Sequence, residues 1–287
     1  MAGGSTLSTV EGGQGNRATG RAQSAQTGYL LNNADRNSAT RLAALSACFD
    51  PGTIHHLGDR GLTRGWRCLE VGAGNGSIAR WLADEVGPAG YVLATDIDPR
   101  FLESSKRPNL QVCCHNIIAD PLPEEAFDLV HCRMVLRLLD RSQREKAIVR
   151  MISALKPGGW LLNEDLDTAS MPPDPSASPG EVRLQTQMAM MQLFQDRDVE
   201  TRFGRLLFGQ LRAHGLVNVG AEGRVFMCDS GSPGADILRA SYQQLRTAMI
   251  DGGYLTEQQF EEDVARLESP EFIAPSGILW AAWGQRL

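Results

Sequence analysis

The sequence predicts an α/β fold built on an open, mostly parallel, doubly wound sheet. Three observations carry that expectation. Short apolar runs of strand length alternate with segments whose apolar residues recur every three or four positions. A glycine-rich turn, Gly72-Ala73-Gly74-Asn75-Gly76, joins the first such run to the first helix after it. An acidic residue, Asp96, closes the second run, at the distance where an acid meets ribose hydroxyls in nucleoside-binding βαβ units.

Before the alternation begins, residues 1–28 are rich in Gly, Ser, Thr, Gln and Ala and lack an apolar signal-peptide core, so they read as a flexible tail. Residues 29–60 read as a helical cover, with Leu42, Leu45 and Phe49 at helical spacing over Asp35 to Phe49, and with His55 and His56 in a loop before the first strand. The core, 61–167, follows in order. Arg67 to Val71 is strand one, Ser77 to Val86 a helix with Ile78, Trp81 and Leu82 on one side, and Tyr91 to Asp96 strand two. Asp98 and Pro99 suit the N-cap and first position of the next helix. Leu110 to His115 and Phe127 to Cys132 are strands three and four. Ser142 with Glu145 predicts a capping box for a helix carrying Ile148, Met151, Ile152 and Leu155, which Lys156-Pro157-Gly158-Gly159 stops ahead of strand five, Trp160 to Asp165.

There the rhythm breaks. Residues 168–200 read as a lid insertion: a Pro- and Ser-rich loop, a capping box of Ser178 with Glu181, and a methionine-rich helix to Phe194. Residues 201–287 complete the core with a helix from Thr201 to His214 and strands from Val217 to Val225 and Gly277 to Gln285. A helical insertion over 236–267 interrupts them, its second helix capped by Thr256 and Gln259.

Composition narrows the function. The formal net charge is −6 and no run of Lys or Arg forms a phosphate-binding stripe, which argues against nucleic acid and for a small, uncharged or cationic substrate. Six cysteines without a C-x-x-C pairing match reduced core thiols of a cytoplasmic protein, and Cys113 and Cys114 would point to opposite faces of a strand, against a metal pair. No apolar run reaches the length of a membrane span, so no membrane partner is expected.

The glycines let the chain turn sharply and let a ligand approach the main chain, beside a helix N-terminus with unpaired amides. Two nucleoside ligands compete for such a turn. A dinucleotide wants a third glycine where Ser77 stands, and Glu70 would repel a pyrophosphate but suits the ammonium of a methionine moiety.

Glu70-x-Gly72-x-Gly74-x-Gly76, Asp96, Asn116-Ile117, Phe127-Asp128-Leu129-Val130 and Leu155-Lys156-Pro157-Gly158-Gly159, in this order, resemble the successive motifs of class I S-adenosylmethionine-dependent methyltransferases of the small-molecule type. The resemblance covers about Tyr29 to Asp167. It implies a seven-stranded sheet with an antiparallel hairpin at one edge, and S-adenosyl-L-methionine as cofactor. It also assigns roles. Glu70, Gly72, Ala73 and Gly74 would meet the methionine part; Asp96 would hold the ribose; Ile97 would pack on the adenine; and Asn116, with the Ile117 backbone, would read the adenine amino group. Cys132 and Arg133 would border the methionine amino and carboxylate groups, and Tyr29 would cover the cofactor. Asn116 as a plain turn residue, and Arg133 reaching solvent, are the alternatives.

A histidine often found shortly after strand four in this family is missing from Arg133-Met134-Val135-Leu136-Arg137-Leu138-Leu139, and His131 and His115 read as structural. Candidate bases are therefore Glu164, Asp165 and Asp167 at the carboxyl end of strand five, where ligands bind in open α/β sheets; the alternative is a solvated loop or partners for Arg133 and Arg137. Met134, Met188, Met191 and Phe194 are the candidate acceptor-pocket wall, against core or dimer packing for the methionine-rich helix. No motif for flipping a base is present, and a metal-assisted catechol enzyme would want an aspartate where Arg133 stands. The rival functions are a cofactor-binding homologue with a non-methylating reaction and an NAD-dependent oxidoreductase. The oligomeric expectation is a monomer or homodimer.

Overall fold

The computed structural model describes residues 30–31, 33–102, 107–170 and 184–287. The predicted tail, Tyr29 and the Ser178–Glu181 cap lie outside the described residues.

The strands β1 (Arg67–Val71), β2 (Tyr91–Asp96), β3 (Leu110–Cys114), β4 (Phe127–Arg133), β5 (Leu155–Asp167), β6 (Val217–Arg224) and β9 (Ile278–Gln285) form one seven-stranded sheet. Its order is β3-β2-β1-β4-β5-β9-β6, and only β9 runs against its neighbours. This is the seven-stranded sheet that the resemblance implies, with the late strands at one edge as expected. The remaining strands, β7 (Met227–Asp229) and β8 (Ile273–Pro275), pair as a small separate ladder. The sequence reading missed it, because three residues are too few to show an alternation.

Helices α1 (Ser38–Asp59) and α2 (Ser77–Val86) cover one face of the sheet, where Leu57, Ile78, Leu82 and Val86 pack on Cys68, Val92, Leu129 and Leu162. Helices α3 (Arg141–Ala154) and α5 (Phe203–Ala213) cover the other, where Ile148, Met151, Leu207 and Leu211 pack on Leu69, Val71, Val130 and Leu161. A third core holds the additions together. In it α4 (Gln185–Asp196), α6 (Pro233–Asp251) and α7 (Glu257–Leu267) bury Leu193, Phe194, Tyr242, Met249 and Phe260 around Leu31 of the N-terminal segment.

Four local expectations are corrected. Helix α1 runs through Pro51 to Asp59, so His55 and His56 are helical and not in a loop. The fixed proline φ suits a helix, and burial of Phe49, Thr53, His56 and Leu57 outweighs the lost amide. The capping box of α3 is Asp140 with Gln143, two residues before the pair expected: Gln143 N donates to Asp140 Oδ1 at 2.9 Å and Asp140 N to Gln143 Oε1 at 3.1 Å. Lys156 to Gly159 follow the helix end as the irregular start of β5, with Gly158 at φ 81° and a register shift against β4. Asp98 does cap the turn at Pro99, but the described part is one 3₁₀ turn, Pro99–Phe101.

Candidate functional site

The carboxyl ends of β1 and β2 lie side by side, so the glycine-rich turn and Asp96 meet. Gly72, Gly74 and Gly76 take φ of 70°, 56° and 77°, a region that side chains disfavour. The amides of Gly72 and Ala73 both donate to Thr95 O, at 2.8 and 2.9 Å, and Gly74 N donates to Asp96 Oδ2 at 2.9 Å. Ser77 N is capped by Asn75 Oδ1 at 3.1 Å. The turn thus spends the amides of Gly72, Ala73 and Gly74 on β2 and that of Ser77 on Asn75.

Neighbouring segments fill the space beside the glycines. A Cβ on Gly72 would collide with the Val135 side chain, and one on Gly74 would lie 3.2 Å from Leu42 Cδ2. Val135 is delivered by the turn after β4, where Met134 adopts φ 58° and its amide donates to Glu164 O at 2.8 Å. Leu42 comes from α1, which also grips the turn through Asn75 Nδ2 to Leu42 O (3.3 Å) and to Ser46 Oγ (3.0 Å).

Asp96 is 8% exposed. Burial raises its carboxyl above the ordinary range, opposed by the amides of Asp98 and Gly74. The next residue, Ile97, is 56% exposed, an apolar side chain presented to solvent beside a buried carboxylate. Asn116 lies half-buried across from it and behaves as the turn residue of the alternative reading, since Ile118 N donates to its Oδ1 at 3.0 Å. The Ile117 side chain is in the core and its carbonyl accepts from Arg150 at 2.9 Å. Asn33 Nδ2 donates to Asp98 O at 3.2 Å, so the N-terminal segment reaches this edge at Asn33.

Beneath the turn, on the α1 face, lies an array of charges that sequence reasoning did not assemble. His131 is wholly buried, with Nδ1 2.7 Å from Glu70 Oε2 and Nε2 3.2 Å from Glu164 Oε2. Thr53 of α1 donates to Glu164. Arg133 donates to Thr53 Oγ1 and to Asp50 Oδ1, both at 2.7 Å. Burial alone would lower the His131 pKa, but the two carboxylates outweigh it and push it up to about 9; Glu164 is held low mainly by His131 against its own desolvation. Alternation placed all of these on one face: Glu70, His131, Arg133 and Glu164 occupy facing positions of β1, β4 and β5. The missing signal was the length of α1, which supplies Asp50 and Thr53.

Several expected roles change accordingly. Arg133, part-buried, ties β4 to α1 through Thr53 and Asp50, and the Cys132 side chain points into the opposite core, where burial drives its pKa well up. Among the candidate bases, Glu164 is the His131 partner. Asp165, 1% exposed, accepts from the amides of Arg137 (3.0 Å) and Leu166 (2.9 Å), and burial pushes it up to about 6. Asp167, also 1% exposed, accepts from Arg205 Nε at 2.5 Å and from the amides of Ala169 and Ser170.

The pocket-wall residues separate. Phe194 is 1% exposed inside the third core, with the Arg137 guanidinium 5.5 Å from its ring, whereas Met188 is 57% exposed. Met191 and Met134 are half-buried.

Comparisons with known proteins find similarity to methyltransferases. Residues 68–159 match the family model described as a methyltransferase domain. The chain is 37% identical to "Methyltransferase str2" of Strobilurus tenacellus over 105 residues, 36% of each chain. It is 25% identical to "N-methyltransferase gliN" of Aspergillus fumigatus over 240 residues, 77% of this chain and 82% of the relative. The matched region spans between about a third and just over half of the first curated relatives. Among solved structures, phosphoethanolamine N-methyltransferase 2 of Haemonchus contortus superposes with a TM-score of 0.53 at 16% identity, over 90% of this chain and 59% of that one, a likeness of fold.

Proposed function

We propose that this protein transfers a methyl group from S-adenosyl-L-methionine to a small-molecule acceptor, a reading supported by the match of residues 68–159 to a methyltransferase-domain model and by the seven-stranded sheet. The observation that carries the reading is the junction of β1 and β2: Gly74 N bonded to Asp96 Oδ2 at 2.9 Å, with exposed Ile97 alongside. That geometry fits a nucleoside, and Glu70 ahead of the turn disfavours a pyrophosphate.

Asp96 keeps lone pairs for two ribose hydroxyls, and Ile97 gives the adenine ring an apolar plate. Glu70 places negative charge under the amino-acid end of the cofactor. The bound cofactor supplies an electrophilic methyl group on a sulfonium. The protein's part is to hold the acceptor in line and keep water out, work that suits the α4, α6 and α7 layer; such positioning is worth effective molarities of about 10⁵–10⁸ M. All three acids at the end of β5 are engaged by other groups, which supports a reaction without a carboxylate base. A nitrogen nucleophile, as the name of the gliN relative suggests, needs none when it arrives uncharged. The six free cysteines support a cytoplasmic setting, and no helix among the described residues is long and apolar enough to cross a membrane.

The test is calorimetry with S-adenosylmethionine and its demethylated product, followed by methyl-labelled cofactor offered to panels of small amines, phenols and quinones. Demethylated cofactor formed in step with a labelled product is expected. Absence of binding would end the proposal, and binding without transfer to any acceptor would favour a non-methylating reaction. Asp165→Asn and Asp167→Asn should keep kcat within about tenfold, since a working base contributes about 10²–10⁴-fold.

A further inference from the structure

His131 sits in the sheet with no water-facing atom, yet both of its ring nitrogens face carboxylates. Ionised carboxylates only accept, so two such contacts need both nitrogens to carry protons. A buried charge of this kind is costly unless its partners are fixed, and here they are fixed from three directions. Glu70 comes from β1, Glu164 from β5, and Thr53 of α1 closes the array behind Glu164. Arg133 and Asp50 complete it, and His56 of α1 lies near Glu164, its pKa lowered by burial. Glu70 is also the acid two residues ahead of Gly72, at the entrance to the glycine-rich turn.

We propose that His131 is a positioning residue: its bond to Glu70 Oε2 holds that carboxylate for the ammonium group at the amino-acid end of the cofactor, and its bond to Glu164 anchors the same position to α1. This rests on the S-adenosylmethionine reading above. The hold is directional. Glu70 left alone would turn toward whatever cation or amide it could reach, whereas the 2.7 Å contact at Nδ1 fixes its plane and leaves the rest of the carboxyl group for a second cation. Because Thr53 and Arg133 connect the array to α1, the helix that grips the glycine-rich turn is registered by the same bonds.

The experiment compares two ligands that differ only at the amino-acid end. S-Adenosylhomocysteine carries the ammonium and carboxylate; 5′-methylthioadenosine has the same nucleoside and thioether without them. Affinities of both for the full chain are measured by calorimetry with His131→Gln and, as a milder change that keeps side-chain shape, Thr53→Val. His131→Gln should weaken S-adenosylhomocysteine about ten- to a hundredfold, the range of one charge-assisted hydrogen bond, and 5′-methylthioadenosine by less than about threefold. Thr53→Val should show the same selectivity on a smaller scale, about threefold against no change. Should His131→Gln fail to fold, the Thr53→Val pair decides. Equal weakening of both ligands, or no weakening of either, overturns the proposal. Parent protein that binds neither ligand overturns the cofactor reading instead, so the two failures are distinct.

Discussion

The two faces of the central sheet are built from alternate residues of the same strands, yet they are stabilised in different ways. Toward α3 and α5, β1, β4 and β5 present Leu69, Val71, Val130, Cys132 and Leu161, all within 3% of full burial. Toward α1, the same strands present Glu70, His131, Arg133 and Glu164 near their carboxyl ends. Over these residues the first face is held by area removed from water. The second packs Cys68, Leu129 and Leu162 on α1 and α2, and at the carboxyl ends it is held by matched partners, where losing one strands the others in a medium that cannot solvate them. The polar array approaches the glycine-rich turn from the α1 side, and Val135, packed on the apolar core, meets Gly72 from the other. Charge was buried where a charged ligand end would be received.

Breaking the polar face should have the largest effect. Glu164→Ala leaves His131 with one carboxylate and Thr53 with only the Phe49 carbonyl to donate to, and should cost about 3–5 kcal/mol in urea unfolding. On the other face Leu161→Ala should cost about 3 kcal/mol by cavity formation, and this loss should be the same at every pH. A pH-dependent Leu161→Ala penalty would erase the distinction between the faces. Asp96→Ala, at the cradle, should weaken S-adenosylhomocysteine by about 2–3 kcal/mol while leaving the melting temperature close to that of the parent.

Titration sharpens the comparison further. His131 has a folded pKa raised from 6.5 to about 9, so its stabilisation is complete below the lower value and is lost as pH rises through the upper one. The slope is at most about 1.4 kcal/mol per pH unit, and His131→Gln should remove it. Asp165, raised from 3.8 to about 6 on the opposite face, should produce its own fall in stability as pH rises through that lower window, which Asp165→Asn should abolish and His131→Gln should not. The smallest effect belongs to Met188: exposed at the surface of α4, it should accept Gln within about 0.5 kcal/mol, while Phe194→Ala on the same helix costs about 3–5 kcal/mol.

Much of the first half was legible because local rules and tertiary structure agree there. β1, α2 and β2 begin and end where alternation, helical spacing and glycine placed them, and Asp96 stands where its spacing from the turn put it. The α4 helix was ambiguous for a physical reason. Methionine suits a core and a pocket equally, and only its neighbours, Tyr242, Met249 and Phe260 from segments far along the chain, show that Leu193 and Phe194 are core while Met188 is not. The acids of β5 were legible as a cluster at the ligand-binding edge, but strand alternation sends Glu164 to one face and Asp165 and Asp167 to the other, where Arg137 and Arg205 wait.

By itself, then, the sequence determined the parallel sheet, the position of the turn between β1 and β2, and the acid that meets it, because each depends on residues close together in the chain: periods of two and three to four, a glycine where φ is positive, a strand end a fixed span away. Tertiary structure alone decided who shares His131. Glu70, Thr53 and Glu164 are separated from it by 61, 78 and 33 positions, and nothing local in any of the four segments specifies the others. Hydrogen bonds between buried charges form between whatever the packing of α1 and three strands brings within about 3 Å, and that distance is set by the whole fold.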